Sequence, residues 1–411
     1  DPSRSRAAMT DAGAARLGFS FARDVPKGAA AVRELVATGT LRIPDDRPLR
    51  VLDLGAGLGA TTWGLARALD AHGARGALDA TWLDTDAPAL DLGAALVRAR
   101  QAERSPSVRL EVRTRVGPVG RAGALGRFDV VLVGQVLSEL DVALTEDERR
   151  DRHAELLAGL VRECLEPDGA VVVVEPALRD RTRHLHRVRD ALLAGAGVAL
   201  FAPCLHEAPC PALVRESDWC HEDLGVDLPA WLAPVARAAG LRHEGLTFSY
   251  LVLRRGGPRL VDTIGRSATG ARLRVVSEPM RTKGKREAFV CGELIAASAL
   301  RDEDDDPAGP HAPVEPELDP PPFLAAGRVR LMRLDRDAHP GNAAWEAIAR
   351  GDLIAVVPAP RLDRPRMGSG TTVARVELGA PVHSIGPAPA GLAAATELQG
   401  SGRGSSESES R

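Results

Sequence analysis

Four cysteines are the residues of this chain best suited to bind a metal. Cys204, Cys210 and Cys220 fall within seventeen residues, and seventy residues separate Cys220 from Cys291. Thiolates bind soft or borderline metals, and four of them suffice for tetrahedral zinc or for a [4Fe–4S] cluster. The sequence therefore predicts a four-thiolate metal centre.

The spacing of these cysteines favours an iron–sulfur cluster over zinc. Structural zinc sites usually contain short C-x(2–4)-C pairs, and these cysteines form none. Prolines before Cys204 and Cys210 stiffen an extended loop of the kind that can surround a larger cluster. His206 and His221 are possible zinc ligands, so zinc remains an alternative. A further alternative is that the four cysteines are unrelated buried thiols that only pack in the core. We interpret the fifth cysteine, Cys164, as a packing residue.

A glycine-rich turn after an apolar strand predicts a cofactor site. The strand ends in Asp53-Leu, and Gly55, Gly57 and Gly59 follow at alternate positions. Glycines allow a sharp turn and let a ligand approach the backbone, and the next helix adds free N–H groups and a positive dipole end. The same letters fit a dinucleotide fingerprint, with Ala60 as its third small residue.

Three further features favour S-adenosylmethionine as the cofactor. Asp53 completes the Asp-x-Gly-x-Gly-x-Gly pattern of class I methyltransferases, and Asp84 ends the next strand, where a carboxylate can bind ribose hydroxyls. Asp86 is the weaker ribose candidate. Residues 127–133 and 165–172 resemble the fourth and fifth strands of that fold. The predicted cofactor-binding residues are Asp53, Gly55, Gly57, Gly59 and Asp84.

The catalytic end of the predicted fold carries no decisive motif. The Asn/Asp-Pro-Pro-aromatic motif of amino-directed nucleic-acid methyltransferases is missing after the fourth strand. Cys204 and Cys210 follow prolines, as the nucleophile of cytosine-5 enzymes commonly does, but they come too late in the chain. Gln135 and Glu139 are weak catalytic candidates, with Glu139 as a general base. Alternatively, Ser138 and Glu139 merely begin a helix.

The elements that must position these residues alternate between β-rich and helical patterns. Such alternation predicts an α/β fold with a Rossmann-like, doubly wound sheet. The expected strands are Arg50–Leu54, Ala80–Asp84, Arg109–Arg113, Phe128–Gly134, Ala170–Glu175 and Leu246–Arg254. The expected helices are Ala30–Ala37, Thr61–His72, Ala87–Ala102, Glu146–Cys164 and Leu185–Ala194.

Composition shifts divide the chain into six predicted regions. The fold is expected to be a methyltransferase domain with a cysteine-rich metal-binding insertion and a small β-rich C-terminal extension. In order, the regions are a helical lead-in at 1–48, the methyltransferase domain at 49–255 with its insertion at 200–230, a β-extension at 256–300 carrying Cys291, an acidic proline-rich linker at 301–322, a small C-terminal region at 323–380 and a disordered tail at 381–411.

Charge and composition narrow the expected partners. The net charge is −3, so any nucleic-acid contact must come from a local patch, for which Arg179–Arg189 and Arg281–Arg286 are candidates unless they are solvated faces. No apolar run is long enough to cross a membrane, and no secretory stretch is present. We therefore expect a cytoplasmic, reducing location, a monomer, and no membrane or DNA partner.

Several segments resemble one family, the methyltransferase-like proteins of the mitochondrial ribosomal small subunit and their bacterial relatives. The most specific are Ala-Pro-Cys-Leu-His-Glu-Ala-Pro-Cys-Pro at 202–211 and Asp-Trp-Cys-His at 218–221, and the resemblance spans about residues 30 to 355. It implies a protein that binds S-adenosylmethionine and engages small-subunit ribosomal RNA in assembly or translation. It also implies a [4Fe–4S] cluster on the matched cysteines, Cys204, Cys210, Cys220 and Cys291.

Two other functions remain open from the sequence. The segment after His221 is acidic at 222–227, where relatives tend to be aromatic and basic, and this weakens an RNA contact there. One alternative is an active methyltransferase that modifies a small molecule or a protein and carries a structural zinc. The other is a non-catalytic, cluster-containing module for assembly or sensing.

Overall fold

The first of two β-sheets carries the glycine-rich turn at its carboxyl edge. The computed structural model describes residues 15–103, 106–195, 197–226, 228–238, 240, 245–264, 270–292, 328–360 and 365–379. This sheet has the strand order β3-β2-β1-β4-β5-β8-β6, and β7 pairs with β8. Its strands are β1 (Leu49–Leu54), β2 (Gly76–Asp84), β3 (Val108–Val116), β4 (Phe128–Gly134), β5 (Leu165–Pro176), β6 (Ala199–Ala202), β7 (Glu222–Leu224) and β8 (Leu246–Arg254).

Helices cover both faces of this sheet because the strands are apolar on both sides. Strands β1 to β5 are parallel and β8 is antiparallel to β5. Along β4, Val130 and Leu132 face one core while Val131 and Val133 face the other, as expected from the alternation of side chains along a strand. The helices are α1 (Ala22–Ala37), α2 (Ala60–Ala71) and α3 (Ala87–Glu103) on the first core, and α4 (Glu146–Gly159) and α5 (Arg179–Ala194) on the second.

The strand order fixes where ligands can approach. It reverses between β1 and β4, which are neighbours in the sheet. In open α/β sheets a crevice opens at such a switch point, outside the carboxyl ends of the strands. The turn that begins at Gly55 and the loop that follows Gly134 lie at this edge. The predicted α/β fold is thus confirmed.

The second sheet is built from strands that the sequence assigned to two separate regions. Its order is β14-β12-β11-β9-β13-β15, with β10 paired to β11, and it encloses its own apolar core around Trp345. Cys291 lies on β11 opposite Arg328 of β12, so strands on either side of the predicted linker pair directly. The strands are β9 (Ala271–Val275), β10 (Met280–Thr282), β11 (Lys285–Gly292), β12 (Arg328–Leu334), β13 (Leu353–Val357), β14 (Arg366–Met367) and β15 (Thr372–Arg375), and two short helices precede them, α6 (Leu232–Ala238) and α7 (Leu260–Thr263).

The predicted elements of the first sheet all lie within observed strands, and the helices differ mainly at their ends. The helix predicted over Glu146–Cys164 changes to π-helix at Leu160, and α5 begins at Arg179 rather than Leu185. The residues of α5 before Leu185 are polar and lack apolar periodicity; Arg179 to Arg181 are exposed, whereas Thr182, Arg183 and His184 are buried. The predicted linker at 301–322 and tail at 381–411 lie outside the described residues. Among the described helices, none has the length and apolarity needed to span a bilayer.

Candidate functional site

The glycine-rich turn joins the end of β1 to the start of α2 through left-handed backbone. Gly55, Gly57 and Gly59 have φ values of 62°, 51° and 77°, a region that L side chains rarely adopt. A Cβ on Gly55 would lie 2.6 Å from Val136 Cγ2, and one on Gly59 would lie 2.1 Å from Trp82 Cζ2. A Cβ on Gly57 would meet no atom within 4 Å. Side-chain packing thus explains two of the glycines, and only Gly57 borders open space.

Two of the predicted cofactor-binding carboxylates are held by backbone groups at this edge. Asp53 is buried, and its Oδ2 accepts hydrogen bonds from Thr62 N (3.1 Å) and Thr62 Oγ1 (2.7 Å). Burial raises the pKa of Asp53 to about 7. Asp84 accepts from Gly57 N (2.8 Å) and from Asp86 N (2.9 Å). The structure therefore brings Asp53, Gly57 and Asp84 together, with Asp84 directly on the turn.

Asp86, the weaker ribose candidate, has a different role. Its Oδ1 accepts a hydrogen bond from Ala89 N (3.0 Å) in the first turn of α3, and its Oδ2 is paired with Arg16. A carboxylate that satisfies the free N–H groups at a helix start stabilises that helix. The structure therefore accounts for Asp86 as a helix cap.

The loop after β4 is held in an unusual conformation by Glu175 of β5. Gln135 has φ 60° although it is not glycine, and such conformations persist only where surrounding contacts impose them. Here the buried Glu175 carboxylate accepts hydrogen bonds from Leu137 N (2.9 Å) and Ser138 N (3.2 Å). Glu139 is exposed in the turns that precede α4. Of the residues at this edge, Glu175 was missed as a site candidate, although its position at a strand end was a visible signal.

The Glu175 carboxyl should make stability depend on pH. Burial raises its pKa from 4.5 to about 7. Below about pH 4.5 it is protonated in both the folded and unfolded states, and between there and pH 7 only the folded state keeps the proton. Its contribution to stability is therefore present at low pH and is lost as pH rises through 7. Relative to Glu175→Gln, the free energy of unfolding of the wild type should fall by roughly 3 kcal/mol between pH 4.5 and 8.

Urea unfolding of both proteins at several pH values measures this difference, because other titrating groups cancel in the comparison. The exposed Glu139→Gln variant is the matched control and should follow the wild type at every pH. A constant offset between wild type and Glu175→Gln across this range would contradict the raised pKa.

The buried arginines of helix α5 hold the segment at 204–220, called the cysteine loop below because it carries Cys204, Cys210 and Cys220. Arg183 Nη1 donates to three loop carbonyl oxygens, those of Ala212 (2.8 Å), Arg215 (2.7 Å) and Asp218 (2.7 Å). Such contacts satisfy carbonyls in a loop with little regular structure. Arg189 is fully buried on the same helix. Two arginines of the basic run Arg179–Arg189 are therefore buried in loop contacts. These two belong neither to an RNA-binding patch nor to a solvated face.

The second half of the helix holds the first half of the loop. Arg189 donates to His206 O (2.8 Å) and Ala208 O (2.9 Å), and Asp190 accepts from Cys210 N (2.9 Å). These contacts fix the chain before Cys210 and at Cys210 itself. Because the helix packs on the first sheet, the loop is anchored to that sheet.

The four cysteines singled out by spacing line one cavity between the two sheets. Cys204, Cys210, Cys220 and Cys291 all contribute to its wall, together with His186, His206, Trp219 and His221. His206 Nε2 lies 3.2 Å from Cys291 Sγ. The structure thus brings together residues that are up to 87 positions apart in sequence. Among the described residues, no three His, Cys, Asp or Glu side chains already stand close enough together to hold one metal ion.

The cavity opposes ionisation of three of its thiols, those of Cys210, Cys220 and Cys291. Burial raises the pKa of Cys210 and of Cys291 above the usual range, and negative charge on Cys204 raises both further. For the same two reasons the pKa of Cys220 rises to about 12. Thiolates in such surroundings are stabilised by a bound cation, which lowers the pKa of its sulfur ligands. Cys164 is buried in the core beneath α4, away from the cavity.

One buried arginine connects the cysteine loop to both sheets. Arg274 of β9 donates to Pro203 O (2.7 Å) beside Cys204 and to Gly351 O (3.0 Å), and its guanidinium pairs with buried Glu34 of α1. Tyr250 of β8 donates to the other oxygen of Glu34 (2.9 Å). These contacts join α1, the first sheet and the second sheet at one side of the cavity.

Comparison with known proteins gives one family match and several distant structural likenesses. The model of the family described as "Mitochondrial small ribosomal subunit Rsm22" matches residues 19–298. No curated protein matches the chain. The family match covers more than half of the sequence and includes the glycine-rich turn and all four cysteines of the cavity.

The solved structures that resemble this one are methyltransferases at low identity. An O-methyltransferase family protein from Burkholderia thailandensis is 23% identical, over 63% of this chain and 63% of that one, with a TM-score of 0.32. A methyltransferase homolog from Pyrococcus horikoshii is 15% identical, over 55% and 66%, with a TM-score of 0.33. The plantazolicin methyltransferase BpumL, solved with SAH, is 9% identical, over 57% and 86%, with a TM-score of 0.31.

Proposed function

The chain belongs to the mitochondrial small ribosomal subunit Rsm22 family, and we propose that it is an S-adenosylmethionine-binding, methyltransferase-like protein that acts with the small ribosomal subunit in assembly or translation. The observation that carries this proposal is the family match over residues 19–298, because it includes the cofactor turn and the cysteine segment. Co-sedimentation with 30S particles and calorimetric titration with S-adenosylmethionine test its two parts separately.

The cofactor would be held at the carboxyl edge of β1 and β2. Gly57 borders open space beside Asp84, and each carboxylate oxygen can accept a further hydrogen bond from a ribose hydroxyl. Asp53 would face the methionine end, with Oδ1 as the oxygen not used by Thr62. Gly55 and Gly59 would shape the turn. When bound, the cofactor supplies an electrophilic methyl group on a positively charged sulfur.

Replacing Asp84 should weaken cofactor binding. Hydrogen bonds to a charged group contribute about 1.5 to 3 kcal/mol, so Asp84→Ala is expected to raise the Kd for S-adenosylmethionine at least about tenfold. Isothermal titration calorimetry measures this. Asp79→Ala is the matched control, because Asp79 lies on the same strand and pairs with Arg113. Equal affinities of wild type and Asp84→Ala would refute the ribose assignment.

We propose further that Cys204, Cys210, Cys220 and Cys291 hold a [4Fe–4S] cluster. Four thiols around one cavity match the one-cysteine-per-iron ligation of such a cluster, and its positive irons would offset the unfavourable ionisation of these thiols. The cluster would join the cysteine loop to β11 and so stabilise the contact between the sheets.

A structural zinc is the second candidate, favoured by the position of His206 beside Cys291. Metal and sulfide analysis of protein purified without oxygen separates the two. A visible absorption band with about four iron and four sulfide per chain supports the cluster. A colourless protein with one zinc would overturn it and favour an active methyltransferase with a structural metal.

The ribosomal contact is proposed to include the β10–β11 hairpin. Arg281 and Lys283 are exposed at its tip, whereas Arg286 is paired with Glu346. Neutralising phosphates with exposed cations releases counterions, so binding falls with salt. The variant Arg281→Ala/Lys283→Ala should bind 30S particles more weakly, with a salt slope smaller by about one for each residue.

Co-sedimentation at several salt concentrations measures that slope. The control is Arg109→Ala/Arg115→Ala, because these two arginines are equally exposed on the edge strand β3 of the other sheet. An unchanged slope for the hairpin variant, or an equal loss for the control, would exclude the hairpin as the contact.

A further inference from the structure

A second cavity, of about 210 Å³, lies beside the loop that follows β4. The starts of α4 and α5 form its sides, and the end of β5 supplies Glu175. Its size is that of a small organic group rather than of a single water. The polar side chains that line the cavity, and can therefore form hydrogen bonds to a ligand, are Ser138, Glu146, Arg149, Glu175, Asp180, Arg181 and His184.

This cavity is adjacent to the cofactor turn. Val136 packs against Gly55 of that turn, and the next two residues, Leu137 and Ser138, line the cavity. Glu175 fixes both by accepting their backbone N–H groups. The loop therefore has the turn on one side and the cavity on the other, at the same carboxyl edge of the sheet.

Two histidines behind the cavity form a hydrogen-bonded chain. His184 lines the cavity, and its Nε2 lies 2.9 Å from Nδ1 of His153, which is fully buried. Nε2 of His153 lies 3.6 Å from Asp141 Oδ2. This contact is electrostatic, because within the described part of the chain that nitrogen makes no hydrogen bond. Asp141 itself has φ 53°, so a strained backbone aims the carboxylate at a buried imidazole.

The order of these groups determines where the protons sit. The Asp141 carboxylate favours a proton on Nε2 of His153, which leaves Nδ1 of His153 as an acceptor. That acceptor requires the proton of His184 to be on Nε2, so Nδ1 of His184 carries a lone pair. Burial lowers the pKa of both rings to about 4, and both are therefore neutral at pH 7.

One exposed apolar side chain lines the cavity, that of Leu144, which is 38% exposed. An exposed leucine beside polar lining side chains suits a flat ring that carries a polar edge. The ligand class that fits is a heterocycle or aromatic ring bearing an N–H or O–H group.

We propose that this cavity is the methyl-acceptor site and that His184 is its general base. The inference rests on the proposed cofactor site. The ring nitrogen or oxygen of the acceptor forms a bond to the methyl carbon, the bond from that carbon to sulfur breaks, and sulfur keeps the electron pair. The acceptor's proton passes to Nδ1 of His184. His153 and Asp141 are positioning residues that hold the tautomer of His184.

The test uses labelled S-adenosylmethionine and the total RNA, protein and small-molecule fractions of cells that lack the protein. The wild type should label one fraction, and an RNA or a small-molecule product identifies the source of the ring. His184→Gln should lower kcat at least about 100-fold while the Kd for S-adenosylmethionine stays unchanged. His153→Gln should lower kcat with an unchanged KM for the cofactor. The control His72→Gln, distant from the cavity on α2, should match the wild type.

Imidazole ¹⁵N NMR of the wild type gives a test that does not depend on folding of the variants. His184 should be protonated on Nε2 only, and protonation on Nδ1 overturns the inference. Wild-type rates for His184→Gln overturn it as well, as does a wild type that binds S-adenosylmethionine but labels no fraction. Failure to bind S-adenosylmethionine at all would instead refute the proposed cofactor site, and the acceptor site with it.

Discussion

Replacement of Cys291 by serine is expected to abolish metal binding and to lower the melting temperature by about 10 °C or more. Cys291 is the contribution of the second sheet to the cavity, while Cys204, Cys210 and Cys220 come from the loop held by α5. A metal that binds only the folded state adds its binding free energy to the stability of the protein. Losing the metal removes this contribution. For a domain of about 150 to 250 residues each kcal/mol corresponds to about 2 to 4 °C.

The matched control is Cys164→Ser, which changes a buried cysteine in the core below α4. It should retain the full metal content whatever its effect on stability, so metal content separates ligand loss from general destabilisation. Cys204→Ser should behave as Cys291→Ser does. If both variants kept wild-type metal content and melting temperature, the ligand assignment would be wrong.

The glycine turn and the first sheet could be predicted because their signals are local. The run from Arg50 to Ala60 contains a strand, a turn and the first residue of a helix, and β4 and β5 contain the apolar runs Val130–Val133 and Ala170–Val174. The second sheet depends instead on pairing between distant segments. Strand β11 pairs with β12 across residues 293–327, and no local pattern in either strand specifies that partner.

The candidate site shows the same division between local and long-range information. The four cysteines could be singled out by type and spacing, and the structure places them around one cavity. The residues that hold these cysteines in place could not be predicted, because in the sequence Arg183 and Arg189 look like part of a basic surface. Only the packing of α5 against the loop shows that their guanidinium groups are buried on carbonyl oxygens.

The proposed arrangement of Asp141, His153 and His184 could not be predicted either. These residues come from the turns before α4, from α4 and from α5, and nothing in their spacing suggests that they lie together. Gln135 and Glu139, the catalytic candidates from the sequence, lie on the loop beside the cavity rather than among its lining residues. The loop was therefore a useful pointer, although the polar side chains nearest the cavity are others.

The second large effect is expected from Arg274→Met, which should lower the free energy of unfolding by about 3 to 5 kcal/mol. Arg274 and Glu34 are almost completely buried. Burial by itself lowers the pKa of Arg274, but the charge of Glu34 raises it above the usual value, so Arg274 stays charged. Methionine fills a similar volume but leaves the Glu34 carboxylate with Tyr250 as its remaining neutral donor.

Urea unfolding measures this loss, and Arg375→Met is the matched control. Arg375 lies in the same sheet and pairs with Asp352, but its side chain is 40% exposed, so its pair should contribute less than about 1 kcal/mol. The double variant Glu34→Gln/Arg274→Met removes both charges and should recover part of the stability. No recovery would mean that the lost contacts to Pro203 and Gly351, rather than the unpaired charge, account for the effect.

The same variant tests whether Arg274 forms only a local ion pair or also connects the two halves of the proposed metal site. Arg274 donates to Pro203 O, one residue before Cys204, and lies on β9, which pairs with β11 and hence with Cys291. If this arginine sets the distance between the two sources of thiols, then Arg274→Met should lower metal content as well as stability. Because Glu34→Gln/Arg274→Met removes the unpaired charge of Glu34 without restoring the bond to Pro203, its stability should recover in part while its metal content stays low.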